Sequence, residues 1–372
     1  MTFATASSMV TKAQANGGGA LREPEKSVAS NSRSRAAVKS HRKRGRFVPR
    51  LLFSLTTLLL SLGAVEIALR YTMGKPWYER VAEEQAATMG NVWRVGESWF
   101  LLRSAANFAP KQSDAYRILF LGDSFTYGQG LASESETFVK RIVARLNERQ
   151  TGPARTRYEA FNGGIPGSLT PDWVRLCDEI LDSYDPDLVV AVFFLRDGLA
   201  GFTSIGQIDQ IRDGMRQFAK DSFLFRHSST YRFFRERRAQ AELAHRYLSQ
   251  MRHGYFGDTE QTRQWRQAQA DLLAIKRRAL EVDARFAMVV FPVLFDLTPK
   301  YPLKDVCDEI VRFAEADEIP ALSLLPAFMG RDAEPLWVSP FDQHPNANGH
   351  AIAAEAMIPF VERLVRDGFN EG

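Results

Sequence analysis

Cysteine is nearly missing from this chain: Cys177 and Cys307 are the only two among 372 residues. A scaffold stapled by several disulfides is therefore excluded. Each cysteine falls on the apolar stripe of an expected helix, with Trp173, Val174, Ile180 and Leu181 around one and Leu303, Val306, Ile310 and Val311 around the other. Both read as buried free thiols, and their spacing demands no bridge. Excess basic charge is also lacking outside the N-terminus. Residues 1–50 hold eleven Lys/Arg against two Glu, whereas the remainder holds 37 basic and 42 acidic residues. The net charge of +4 belongs to a tail, so a nucleic-acid-binding body loses its support. No internal repeat is visible, and the chemistry read below needs neither metal nor organic cofactor.

What the chain does have is one long hydrophobic run. It extends from Leu51 to Val65 and, past the single acid Glu66, to Leu69. At helical rise this is close to a hydrocarbon thickness of about 30 Å. Arg42, Lys43, Arg44, Arg46 and Arg50 crowd its N-terminal side, an arrangement expected of a cytoplasmic N-terminus with the bulk of the chain outside. No clean small-x-small cleavage site precedes Glu66, so the run reads as an uncleaved signal anchor in the inner (cytoplasmic) membrane. The expected organisation is a disordered basic tail (1–46), an anchor (47–69), a connector with scattered aromatics such as Trp77, Tyr78 and Trp99 (70–114), and a folded domain (115–370). The anchor's partner is the cytoplasmic membrane, through residues 51–69.

From residue 115 onwards strands and helices alternate. Near-continuous apolar runs predict strands at Ile118–Leu121, Tyr158–Phe161, Leu188–Phe194, Phe286–Phe291 and Ala321–Leu325. Amphipathic spacing predicts helices at Glu134–Glu148, Pro171–Asp182, Thr262–Asp283, Leu303–Ala316 and Asn348–Asp367. Thr170-Pro171 reads as a hydroxyl N-cap followed by proline at the first helical position. The pattern implies a parallel sheet covered on both faces. Residues 198–261 are too long for a simple crossover and read as a helical insertion. Its aromatics (Phe223, Phe225, Phe234) interleave with arginines (Arg226, Arg232, Arg235), giving either a solvated basic face or a lid or membrane-facing surface that attracts anionic lipid or glycan.

Chemically useful groups fall at the C-terminal ends of these strands, where ligands of parallel sheets bind. Gly122-Asp123-Ser124 follows the first strand, Asn162-Gly-Gly-Ile-Pro-Gly167 the second, Arg196-Asp197-Gly198 the third, and Phe341-Asp-Gln-His-Pro-Asn-Ala-Asn-Gly-His350 the fifth. Ser124 is the candidate nucleophile, His344 its base and Asp342 the group orienting the imidazole. The Ser124 and Gly164 N–H groups are the candidate donors to a developing oxyanion. Read singly, the histidine could start a helix with Asn346 as cap, and the glycine run could be only a tight turn.

These segments resemble the SGNH, or GDSL-type, hydrolase superfamily over about residues 115–367. The resemblance rests on the strand-Gly-Asp-Ser-Phe-Thr-Tyr-Gly start, on Asn162, Gly164 and Gly167, and on the His344-Pro-Asn-x-x-Gly-His end. It implies a flavodoxin-like three-layer α/β/α sandwich with a five-stranded parallel sheet, and a Ser124/Gly164/His344 site. The anchor and the long third crossover look like membrane-anchored bacterial members. Two departures stand out. The family's third segment usually ends in Asn-Asp, its asparagine completing the oxyanion hole, and here Arg196-Asp197 aligns with it, which makes Arg196 the third candidate oxyanion donor. The usual acid lies three residues before the histidine, where this chain has Phe341, whereas Asp342 lies two before. The functional expectation is a membrane-anchored serine esterase acting on an acylated small molecule or envelope glycan. The alternatives are an O-acetyltransferase acting on an exported polysaccharide and a non-catalytic glycan-binding or assembly protein.

Overall fold

The computed structural model describes residues 47–73, 91–95, 97–103, 108–149, 156–199, 217, 222–339 and 342–371. The expected tail 1–46, Trp77 and Tyr78 of the connector, Phe341 and most of 198–221 lie outside the described residues. The chain divides into two units, Met1–Leu62 and Gly63–Gly372. Helix α1 runs Phe47–Thr72, and its stretch Val48–Thr72 is long and apolar enough to cross a membrane. Its large apolar side chains from Val48 to Ile67 are exposed, as a lipid-facing helix requires.

Elements of the second unit follow in chain order: β1 (Asn91–Val95), β2 (Ser98–Leu102), β3 (Ala115–Gly122), α2 (Ser124–Tyr127), α3 (Phe138–Glu148), β4 (Arg157–Gly164), α4 (Thr170–Tyr184) and β5 (Leu188–Phe194). Then come α5 (Phe223–His227), α6 (Ser229–Phe256), α7 (Arg263–Glu281), β6 (Arg285–Phe291), α8 (Lys304–Ala316), β7 (Ala321–Ser323), α9 (Leu325–Phe328), β8 (Trp337–Ser339), β9 (Asp342–Pro345) and α10 (Ala347–Glu371). The main sheet has the order β4-β3-β5-β6-β7, all parallel, which is the expected flavodoxin-like arrangement. Right-handed crossovers put helices reached by leftward and rightward steps on opposite faces. Accordingly α4 packs with α7, and α3 packs with α10. Every residue of β5 is buried, consistent with a strand covered on both sides.

Several details depart from expectation. The last strand stops at Ser323 rather than Leu325, because Leu325-Pro326 opens α9 and proline has no N–H for the ladder. Thr170 does not cap α4 but is its first residue, and its hydroxyl donates to Asp271 of α7 at 2.7 Å. Asp172 instead accepts the Leu169 N–H at 3.2 Å. Part of the connector forms the β1–β2 hairpin, whose turn donates to Glu179 of α4 from the Glu97 N–H and the Ser98 hydroxyl at 3.0 and 2.6 Å. Phe100 is buried there and Trp99 is exposed. Cys177 and Cys307 are buried free thiols, and burial raises the Cys307 thiol to about 12.

Candidate active site

Ser124 is delivered by β3, which has neighbours on both sides in the sheet. The connections leaving β3 and entering β5 lie on opposite faces, so a crevice opens at this end. Asp123 then turns the chain into α2 by accepting the Phe125 N–H at 2.8 Å. As the first helical residue, Ser124 has an N–H without an intrahelical acceptor.

His344 arrives from the other end of the chain. The expected loop is a two-stranded ribbon of β8 and β9. Side chains two apart on a strand share a face, so the Asp342-x-His344 spacing brings carboxylate and imidazole together. His344 Nδ1 bonds Asp342 Oδ1, and the same oxygen accepts the His344 backbone N–H at 3.1 Å. His344 Nε2 faces Ser124 Oγ at 2.9 Å, and the serine hydroxyl is also 3.4 Å from Asp123 Oδ2. With Nδ1–H given to the carboxylate, the Nε2 lone pair is aimed at the serine proton. Burial alone would raise the Asp342 carboxyl, but the His344 charge and the two His344 hydrogen bonds hold it below its usual value. Beneath the imidazole, Phe125 lies 5.4 Å away between ring centres and stacks on Phe194 at 4.0 Å. The arrangement can take a proton from a serine hydroxyl and hold the resulting imidazolium.

Two expected oxyanion donors already have hydrogen-bond partners. The Gly164 N–H donates to Asn162 Oδ1 at 3.0 Å, so it is already committed. Gly164 is instead a packing residue, since a Cβ there would lie 2.2 Å from the Tyr127 nitrogen. Arg196 is also hydrogen-bonded within the protein. Its Nη2 lies 2.8 Å from Asp123 Oδ2, 3.2 Å from the Ser168 carbonyl and 3.3 Å from Asp197 Oδ1. All three side chains are buried, and two carboxylates compete for one guanidinium. Burial and the Asp123 charge push the Asp197 carboxyl well above its usual range, against the pull of Arg196.

A tight turn follows Gly164. Ser168 N–H donates to the Ile165 carbonyl at 3.1 Å, closing a turn over Pro166 and Gly167. Gly167 has a φ of +76°, which proline followed by glycine satisfies in a type II turn. A Cβ at Gly167 would meet nothing within 4 Å, so this edge of the turn faces open space.

No family model matches the chain, and no curated protein matches it. Among solved structures it is similar to the two-domain esterase CEX active on acetylated mannans, with 17% identity, 67% of this chain and 49% of that chain covered, and a TM-score of 0.38. It is similar to TesA with 15% identity, 67% and 99% coverage and a TM-score of 0.40. It is also similar to the psychrotrophic esterase EstA from Pseudoalteromonas sp., with 17% identity, 67% and 98% coverage and a TM-score of 0.39. The chain spans about half the length of the two-domain esterase.

Two residues of the sequence motifs, Asn162 and His350, have supporting roles that the sequence did not assign. Asn162 joins β4 to α2, since its Nδ2 donates to the Thr126 carbonyl at 2.9 Å while its Oδ1 holds Gly164. A polar residue closing an apolar strand run was the available signal. His350 is fully buried, stacks on Phe138 at 5.2 Å, and accepts the Phe138 N–H at the start of α3 through Nδ1 at 3.1 Å. Burial, aided by the positive charge of Arg141, lowers it to about 3, so it is neutral at ordinary pH. Nothing in its local sequence marks it as a cap for a helix some 200 residues away.

Proposed function

We propose that this chain is a serine ester hydrolase of the SGNH type, with Ser124 as nucleophile, His344 as general base and Asp342 as the group orienting it. The observation that carries this reading is the 2.9 Å approach of His344 Nε2 to Ser124 Oγ at the C-terminal end of β3. In the reaction, Ser124 Oγ attacks an ester carbonyl while its proton passes to His344. The imidazolium then protonates the leaving alkoxide. An acyl-enzyme forms, and water activated by the same imidazole releases the acid. The Ser124 N–H, which has no intrahelical acceptor, supplies a donor to the oxyanion. Helix α1 anchors the chain in the cytoplasmic membrane with this domain outside, where O-acylated envelope glycans are the substrate class.

The test is covalent labelling of the full chain with a fluorophosphonate. Ser124 is expected to be labelled, with labelling abolished in Ser124→Ala and strongly reduced in His344→Ala. A folded wild-type chain that takes no label would overturn the proposal. An activated acetyl ester offered with a glycan acceptor then reads the fate of the acyl group, and free acetate is the expected product.

A further inference from the structure

Glu66 is the one acid between Leu51 and Leu69, and four donors converge on it, Arg70 from one turn along the same helix at 3.4 Å and three from the start of α6. Measured from Val48, it lies roughly 27 Å along α1, within a hydrocarbon thickness of about 30 Å. A carboxylate at that depth is costly unless it is satisfied. The Ser229 N–H donates to it at 2.6 Å, the Thr230 N–H at 2.9 Å and the Ser228 hydroxyl at 3.0 Å. One turn further, Arg70 donates to the His227 carbonyl at 3.0 Å. The end of α5 and the first turn of α6 therefore sit at the depth of Glu66.

That elbow exposes large apolar side chains: Phe223 is 66% exposed, Leu224 55% and Phe234 65%. Arg226, Arg235, Arg237 and Arg238 are exposed around them. Aromatic and aliphatic groups interleaved with guanidinium groups fit the boundary between acyl chains and anionic headgroups. An aqueous surface offers these side chains no such complement.

We propose that the α5–α6 elbow is a second membrane contact: Phe223, Leu224 and Phe234 enter the acyl boundary where α1 leaves the bilayer, and the flanking arginines face anionic headgroups. The proposal rests on α1 being the anchor. At its far end α6 meets the site, since the Tyr255 hydroxyl donates to the Leu195 carbonyl at 2.6 Å, in the turn that carries Arg196. The 28 residues of α6 thus join the lipid contact to the site turn over roughly 42 Å.

The experiment uses the full chain in vesicles of phosphatidylcholine and phosphatidylglycerol. An environment-sensitive fluorophore is placed by Leu60→Cys, Phe223→Cys, Phe234→Cys or Phe256→Cys, the native thiols being buried, and is quenched with nitroxide-labelled lipids. Leu60 reports the anchor and Phe256 the far end of α6. Strong loss of emission at 60, 223 and 234, with none at 256, is the expected result, and quenching at 223 and 234 should weaken in purely zwitterionic vesicles. Quenching at 60 alone would overturn the elbow contact while leaving the anchor standing, and would assign those side chains to a protein or glycan occupant. No quenching anywhere would overturn both. Equal quenching in zwitterionic vesicles would overturn the role of the arginines. Turnover of an activated ester by the same samples reports the hydrolase reading separately.

Discussion

Arg196 Nη2 lies 2.8 Å from Asp123 Oδ2, one residue before Ser124, and both side chains are buried. This pair ties the turn after β5 to the turn after β3. It also changes what the arginine can do, because a guanidinium held by two carboxylates and a carbonyl is no substitute for a neutral amide donor. Removing one member of such a cluster leaves an uncompensated buried charge.

Arg196→Ala should therefore be destabilised by about 3–5 kcal/mol and lose ester turnover with it. Adding Asp197→Asn should restore part of the stability, since it removes a buried acid beside Asp123 that has lost the Arg196 guanidinium. Thermal melts of the wild type, the single and the double variant check this. Equal melting temperatures for wild type and Arg196→Ala would show that the cluster does not hold the two turns.

Asp342→Asn tests the orienting carboxylate. The variant keeps the shape but replaces an anionic acceptor, and turnover should fall by about 10⁴ while the fold persists. The pH dependence has a definite sign. The folded-state value of Asp342 is depressed, so its contribution is complete above the ordinary carboxylate range and is lost only as pH falls through the folded value. Activity lost between pH 7 and pH 5 must then come from a different group. A turnover profile of wild type and Asp342→Asn over that range is the measurement.

The sheet was legible because its strands are nearly continuous apolar runs, as Leu188–Phe194 illustrates, and because glycine and polar residues stop them at one end. Ser124, His344 and Asp342 were legible for the same reason, being reactive types at strand ends with period-two spacing in the last pair. Donor assignments were not. Whether Gly164 presents a free N–H depends on which carbonyls and side chains claim it, and Asn162 does. The contacts of Arg196 were not legible because its partners, Asp123 and Ser168, come from other strand ends. The β1–β2 hairpin escaped notice because its short strands lack a strong alternation.

Gly164 and Gly167 should respond differently to alanine. At Gly164 the new Cβ would meet the Thr126 and Tyr127 backbone at 2.7 and 2.2 Å, and neither can yield without moving α2. Gly164→Ala should abolish soluble, active protein. At Gly167 the space is open and only the positive φ is penalised, by about 1–2 kcal/mol. Gly167→Ala should fold with a lower melting temperature. Expression yield and melting of the two variants distinguish the cases.

His350 supplies an acid-sensitive lock. Its imidazole accepts the Phe138 N–H and is fully buried, with a folded-state pKa of about 3 against an unfolded value near 6.5. Because the folded value is depressed, the stabilisation is complete above pH 6.5 and is lost as pH falls towards 3. The slope is about 1.4 kcal/mol per pH unit within that window. His350→Asn keeps an acceptor near the start of α3 but has no proton to gain. Its stability at neutral pH should be lower, through lost packing on Phe138, while its decline between pH 6 and pH 4 should be shallower. Urea unfolding at pH 7, 6, 5 and 4 reads both effects, and parallel pH curves for the two chains would show that another group sets the acid sensitivity.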